Sequence, residues 1–239
     1  MAVQPWRKGI VTEIIDETPN TKRFRIKIPE LEVFDFNPGQ FITFDLPIHE
    51  KPSKRLRSYS IASWPNGTNE FELIIVLNKA GAGTPWLWDH VAVGSELTLR
   101  GPQGVFTLPE TIESDLFFIC TGTGIAPFRS KTHYILKNNI PHHNIYLIFG
   151  TRKKEDLLYY EELSKLHDEY ESFHYYPTLS RELWNGHTGY VHNIYEKLLE
   201  NKQDARFYLC GWRAMLDETK KRIIELGYDK KTIHQEVYG

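Results

Sequence analysis

The hydrophobic period changes halfway along this 239-residue chain, and that change constrains the fold more than any single motif does. Up to residue 108 the apolar residues come in short alternating runs at 9–15, 23–28, 41–46 and 96–100, with a longer apolar strand at 71–77, the cleanest alternation being Arg23-Phe24-Arg25-Ile26-Lys27-Ile28. A period of two sends successive side chains to opposite faces of a strand. Pro38-Gly39, Pro65-Asn66-Gly67, Gly101-Pro102 and Gly104 punctuate the runs as turns. Short strands so closely spaced predict an antiparallel barrel. One short helix is predicted over 84–91, with Thr84 as N-cap and Pro85 at the first helical position.

Beyond residue 115 the grammar differs. Leu116-Phe117-Phe118-Ile119-Cys120, Ile145-Tyr146-Leu147-Ile148-Phe149 and Arg206-Phe207-Tyr208-Leu209-Cys210 are near-continuous apolar runs, as strands buried on both faces require. Helical patterns separate them at 127–137, 155–170, 191–200 and 214–226. Strand–helix alternation predicts a doubly wound parallel α/β sheet. The polar, proline-bearing stretch 109–114 marks the junction, giving domains at 1–110 and 111–239.

Composition narrows the function. A formal net charge of -2 excludes a dedicated nucleic-acid binder, which carries a strong basic excess. The two cysteines, Cys120 and Cys210, form no C-x-x-C pair and cannot supply the four ligands of an iron–sulfur cluster. The ten histidines form no ligand set, so no metal is expected. The first residues lack the apolar core of a signal peptide, and no apolar run reaches the length of a membrane span. A soluble cytoplasmic protein is expected; oligomeric state is not legible.

Three segments carry the chemistry. Thr121-Gly122-Thr123-Gly124 follows a buried strand and leads into a helix with Pro127 in its first turn. Glycines there admit a phosphate close to the backbone, and the free N–H groups of a helix start favour an anion. The next strand ends in Phe149-Gly150-Thr151-Arg152, where an NAD site commonly carries an acid for the ribose 2′-hydroxyl. A cation at that place suits a 2′-phosphate, and Ser180 and Arg181 complete a clamp, so NADP is placed ahead of NAD.

In the first half, Arg57 of Arg57-Ser58-Tyr59-Ser60 offers a planar donor fork to a phosphate. Tyr59 offers a flat ring to a flavin and Ser60 a hydroxyl, while Ser58 points away from Arg57 and Tyr59. Gly81-Ala82-Gly83-Thr84 repeats the anion logic at a helix start. A second phosphate site on one domain favours a pyrophosphate, hence FAD over FMN. Each segment alone is equally a capped turn or an ordinary strand.

Taken in order, these segments resemble the ferredoxin–NADP reductase-like flavoproteins, in a stand-alone form without an iron–sulfur domain. The resemblance also rests on Pro38-Gly39-Gln40-Phe41, Gly101-Pro102-Gln103-Gly104-Val105-Phe106, Asp156-Leu157-Leu158-Tyr159, Cys210-Gly211 and Glu236-Val237-Tyr238, and covers nearly the whole chain. It implies a six-stranded antiparallel β-barrel for FAD, followed by an α/β domain for the nicotinamide dinucleotide. By position it gives FAD to Arg57, Ser58, Tyr59, Ser60, to the backbone of Ile75, Val76 and Leu77, and to Ala82, Gly83 and Thr84. It gives the dinucleotide pyrophosphate to Thr121, Gly122, Thr123 and Gly124, and the nicotinamide to Cys210 and Gly211. Glu236 and Tyr238 close the flavin face.

The implied reaction is hydride transfer from NADPH to FAD, with Ser60, Cys210, Glu236 and Tyr238 tuning approach and proton handling, and onward electron transfer to a ferredoxin, a flavodoxin or a similar small redox protein. Lys51, Lys54 and Arg55 are candidates to dock such an acidic partner. Two other readings stay open: a flavin reductase that releases reduced flavin, and a non-catalytic FAD-binding regulatory subunit.

Overall fold

The computed structural model describes residues 4–238; Met1, Ala2, Val3 and Gly239, the chain start and end included in the reading above, lie outside them. The chain divides into two units, one of residues 1–108 with 129–134, the other of residues 109–128 with 135–239.

The first unit contains β1 (Trp6–Thr18), β2 (Thr21–Lys27), β3 (Phe41–Asp45), β4 (Leu56–Ser60), β5 (Glu70–Val76) and β6 (Glu96–Gln103). Their order is β4-β3-β6-β1-β2-β5, with every neighbouring pair antiparallel. The two outer strands meet through an Ile61–Leu73 bridge and an Ala62 N–H that donates to the Glu72 carbonyl at 2.8 Å, so the sheet closes on itself as a barrel. The alternation read in β2 is the observed one: Phe24 and Ile26 are buried, Arg25 and Lys27 exposed. They join Val11, Ile42, Phe44, Leu73 and Leu99 in the core, each contributing about 1.5–3 kcal/mol by burial. β1 runs further than its pattern suggested, because register shifts near residues 12 and 17 interrupt the alternation without ending the strand.

The predicted helix over 84–91 is α1 (Gly83–His90), and Thr84 does not cap it. Its hydroxyl accepts from Asn78 N–H at 2.8 Å and donates to the Asn78 carbonyl at 3.2 Å, pinning the preceding glycine loop. The capping position falls to Ala82, which has no side chain to offer.

The second unit contains β7 (Asp115–Thr121), β8 (Ile145–Thr151), β9 (Phe173–Leu179), β10 (His187–Thr188), β11 (Ala205–Trp212) and β12 (Ile233–Tyr238). The order β10-β9-β8-β7-β11-β12 is parallel throughout. Helix α2 (Ala126–Lys137) is divided, its residues 129–134 counting with the first unit, while α3 (Tyr160–Glu169), α4 (His192–Leu198) and α5 (Arg213–Glu225) belong to the second. Residues 155–159, read as helix, instead belong to a 3-10 turn at Lys154–Asp156 and a connection through Tyr159 in a left-handed conformation (φ 55°). β12 was not foreseen, because no residue of this edge strand is fully buried and it shows no apolar run. From β7 the strand order runs to β8 on one side and to β11 on the other. That reversal puts the carboxyl ends of β7 and β11 at a topological switch point. Among the described residues no helix is long and apolar enough to cross a membrane.

Candidate functional site

In the barrel, β4 carries Arg57, Ser58, Tyr59 and Ser60. The Arg57 side chain lies against the first residue of α1. A Cβ built on Gly83 would stand 2.9 Å from Arg57 Cγ and 3.0 Å from its Nε. Arg57 Nη1 donates to the carbonyls of Lys54 (3.0 Å) and Leu56 (2.7 Å), which fixes the guanidinium, and no carboxylate among the described residues pairs with it. A held cation thus faces a helix start whose N–H groups have no capping side chain, a combination that suits a phosphate.

Tyr59 packs its ring 5.7 Å from that of Phe44, and burial pushes its hydroxyl up to a pKa of about 12 against the opposing charge of Arg57. The phenol is therefore a neutral donor at physiological pH. Ser58 is exposed and shares a 2.9 Å hydrogen bond with the Thr43 hydroxyl; Ser60 is buried. Ile75 and Val76 end β5, and Leu77 follows with its N–H donated to the Asn20 carbonyl at 2.7 Å.

In the second unit, the predicted dinucleotide residues line up along the carboxyl edge of the sheet. Thr121 pairs with Gly150, Thr151 with Leu179, Cys210 with Cys120 and Glu236, and Trp212 with Tyr238. Gly122, Thr123 and Gly124 do not enter the helix directly: residues Gly122–Ile125 form a 3-10 turn, and α2 starts at Ala126 with Pro127 second.

A Cβ on Gly124 would collide with the Cys210 carbonyl group, 2.7 Å from its carbon, so this loop packs on β11 with no room for a side chain. Gly211, at φ +141°, occupies a backbone region that favours glycine, and a Cβ there would collide with Thr121 Oγ1. That Thr121 oxygen is buried and has no hydrogen-bond partner, as a group awaiting a ligand would be. Both cysteines are fully buried; burial, and then Cys210, push the Cys120 thiol well above its ordinary range. Neither is poised as a nucleophile.

Ser180 N–H donates to the Thr151 carbonyl (3.0 Å) and Arg181 N–H to that of Arg152 (2.9 Å), which brings the predicted clamp together at the ends of β8 and β9. Arg152 and Arg181 are exposed and have no carboxylate partner among the described residues. Lys153, Lys154, Glu155, Arg181 and Glu182 line an open hollow of roughly 550 Å³. Arg181 and Ser180 also line a smaller one beside Thr188 and Gly189. Lys153, Lys154 and Glu182 were not among the candidate site residues. The signal was adjacency, since Lys153 and Lys154 continue the run that Arg152 begins and Glu182 follows Arg181.

Comparison with known proteins agrees with both halves. Residues 8–108 match the family described as oxidoreductase FAD-binding domain, and residues 118–221 the family described as oxidoreductase NAD-binding domain. A ferredoxin–NADP reductase B of Sorangium cellulosum is 31% identical over 230 residues, covering 92% of this chain and 93% of its own. The glycine betaine monooxygenase reductase subunit of Pseudomonas aeruginosa is 27% identical over the whole of this chain, which spans 67% of the relative's length. Among solved structures, the Amycolatopsis cytochrome P450 reductase GcoB superposes with a TM-score of 0.88 at 25% identity, over 99% of this chain and 71% of that one. A ferredoxin NADP+ reductase from Neisseria gonorrhoeae with bound FAD and NADP gives 0.79 at 24% identity, covering 97% and 98%. The cradle of Arg57 and Gly83 fits the FAD pyrophosphate, and the orphaned Thr121 hydroxyl with the side-chain-free packing of Gly124 and Gly211 fits a dinucleotide.

Proposed function

Because the chain belongs to the ferredoxin–NADP reductase family, we propose that it takes a hydride from NADPH onto bound FAD and passes the electrons to a separate redox protein in the cytoplasm. One observation carries the reading: in the barrel Arg57 lies against Gly83 at a helix start without a capping side chain, and at the switch point of the sheet Thr121 has an unpaired hydroxyl beside Gly211, two arrangements that suit anions. When bound, the flavin and the nicotinamide supply the hydride chemistry; the protein supplies orientation and electrostatics.

In this reading residues 1–110 hold FAD and residues 111–239 the dinucleotide. Arg57, with the uncapped N–H groups after Ala82, neutralises the FAD pyrophosphate, and Thr84 keeps the loop before them in place through Asn78. Ser58, Tyr59, Ser60 and the backbone of Ile75, Val76 and Leu77 form the remaining flavin wall. Thr121, Gly122, Thr123, Gly124 and Pro127 hold the dinucleotide pyrophosphate, and Cys210 and Gly211, buried at the carboxyl end of β11, back the nicotinamide site. Ser60, Cys210, Glu236 and Tyr238 tune its approach and the movement of protons.

NADPH is preferred on the strength of Arg152 and Arg181, two cations without a carboxylate partner, beside Ser180. The acceptor is a ferredoxin, a flavodoxin or an oxygenase component, in keeping with relatives named as a monooxygenase reductase subunit and a ferredoxin–NADP reductase. Lys51 and Lys54 are exposed and available to such a partner. Arg55 is not, since its guanidinium is held by Asp45 at 2.7 Å.

Stopped-flow mixing of the purified yellow protein with NADPH and with NADH tests the reading. Rapid flavin bleaching, faster with NADPH, followed by reoxidation by ferredoxin or flavodoxin, is expected. A protein that keeps FAD but is bleached by neither dinucleotide overturns it.

A further inference from the structure

We infer that Glu182 sets how strongly the chain discriminates between 2′-phosphorylated and unphosphorylated dinucleotides, by holding a fixed carboxylate in the hollow that takes the 2′-phosphate. The inference rests on the NADP reading above and adds its specificity determinant.

Glu182 Oε2 accepts the Lys154 backbone N–H at 2.8 Å, tying the loop after β9 to the turn after β8. The carboxylate is thereby kept among the cations of the hollow instead of swinging into solvent. A second carboxylate, Glu155, pairs with Lys153 at 3.2 Å. Of the charges lining the hollow, Lys153, Lys154 and Arg181 are positive and Glu155 and Glu182 negative, which leaves one net positive charge. A phosphomonoester brings nearly two negative charges. Lys154 and Arg181 attract it, while Glu182, anchored to the Lys154 backbone, repels it and offers an acceptor to an unmodified ribose hydroxyl. A site with this composition takes the 2′-phosphate but gives up part of its advantage.

The consequence is directional. Glu182→Gln removes the charge and keeps an oxygen able to accept from Lys154 N–H. The hollow then carries two net positive charges. At a separation near 6 Å in water-like surroundings, with partial screening by salt, the change corresponds to about three- to tenfold in affinity for a dianion and little for a neutral ribose.

The test measures binding of 2′-phospho-AMP and of AMP to the FAD-loaded protein by calorimetry, at low and at high salt, for wild type, Glu182→Gln and Arg181→Gln. Glu182→Gln is expected to tighten 2′-phospho-AMP by about three- to tenfold, with the gain shrinking in high salt, and to leave AMP within about twofold. The kcat/KM ratio of NADPH over NADH should rise by a similar factor. Equal changes for both nucleotides, or none, with Arg181→Gln still weakening 2′-phospho-AMP, would overturn the role of Glu182 alone. A wild type that binds both nucleotides equally and ignores Arg181→Gln would overturn the NADP reading as well.

Discussion

The side chain of Arg57 occupies the space in which residue 83 would carry a Cβ: 2.9 Å would separate that atom from Arg57 Cγ and 3.0 Å from Nε. Glycine at 83 therefore lets a barrel strand deliver a guanidinium to the start of α1, where N–H groups without a capping side chain add to its field.

Gly83→Ala tests this contact cleanly, because position 83 is helical and alanine is the better helix former by about 0.5–1 kcal/mol. The variant is expected to purify with much less FAD, read as the 450 nm to 280 nm absorbance ratio, while its apoprotein melts no lower than wild type. Full flavin content would show that Arg57 is not held by this contact for phosphate binding.

Gly124→Ala is expected to behave differently. The new methyl meets the Cys210 backbone, which cannot rotate away as a side chain can, so β11 or the loop must shift. Overpacking of this kind costs about 1–3 kcal/mol. Chemical denaturation should show a lower midpoint, and NADPH binding should weaken in parallel. An unchanged midpoint would place Gly124 away from β11.

Thr84→Val keeps the shape of the side chain and removes both hydrogen bonds to Asn78. Because the loop is exposed, global stability should fall by less than about 1 kcal/mol. The effect expected is on cofactor release: FAD dissociation, followed by fluorescence on dilution, should quicken several-fold. Capping at Thr84 instead would make helix stability, and not release, the affected quantity.

A pH dependence follows from His174 at the amino end of β9. Burial, and then the neighbouring His167, lower its pKa from 6.5, while Asp115 opposes the shift. Its Nε2 lies 3.3 Å from Asn144 Oδ1 and its ring stacks 4.8 Å from that of Tyr146. The unfolded chain thus takes up this proton at a higher pH than the folded one. The stability contribution is complete above the unfolded value of 6.5 and declines as pH falls through it, levelling off below the folded value. Denaturation midpoints between about pH 7.5 and 5 should fall less steeply in His174→Gln than in wild type. Parallel curves would remove His174 from the acid sensitivity.

Much of the fold was legible because burial writes itself into local periodicity. Phe24 and Ile26 alternate with charged neighbours in a strand that has one wet face, and 116–120 is uniformly apolar in a strand that has none. Where burial is partial the writing fades. β12 has only half-buried and exposed residues, and so it left no pattern. Thr84 read as a cap because threonine before a proline commonly is one. Its true partner, Asn78, was set by how the loop folds back. Of the residues proposed to meet the 2′-phosphate, Arg152, Ser180 and Arg181 were candidates because they sit at strand ends. Lys154 and Glu182 were not, since an exposed charge beside another is ordinary in sequence.

Residue type and spacing by themselves determined the two architectures, the order of their segments and the kinds of ligand each half suits, because strand period and glycine placement are local properties of the chain. The tertiary structure alone decided which segments meet. It brought Arg57 to Gly83, set Gly124 against Cys210 and turned the Thr121 hydroxyl to a place with no protein partner. It also tied Glu182 to Lys154 inside a hollow of mixed charge. These contacts depend on strand order and on the paths of loops between strands, which follow from burying the whole core at once and not from any one stretch of residues.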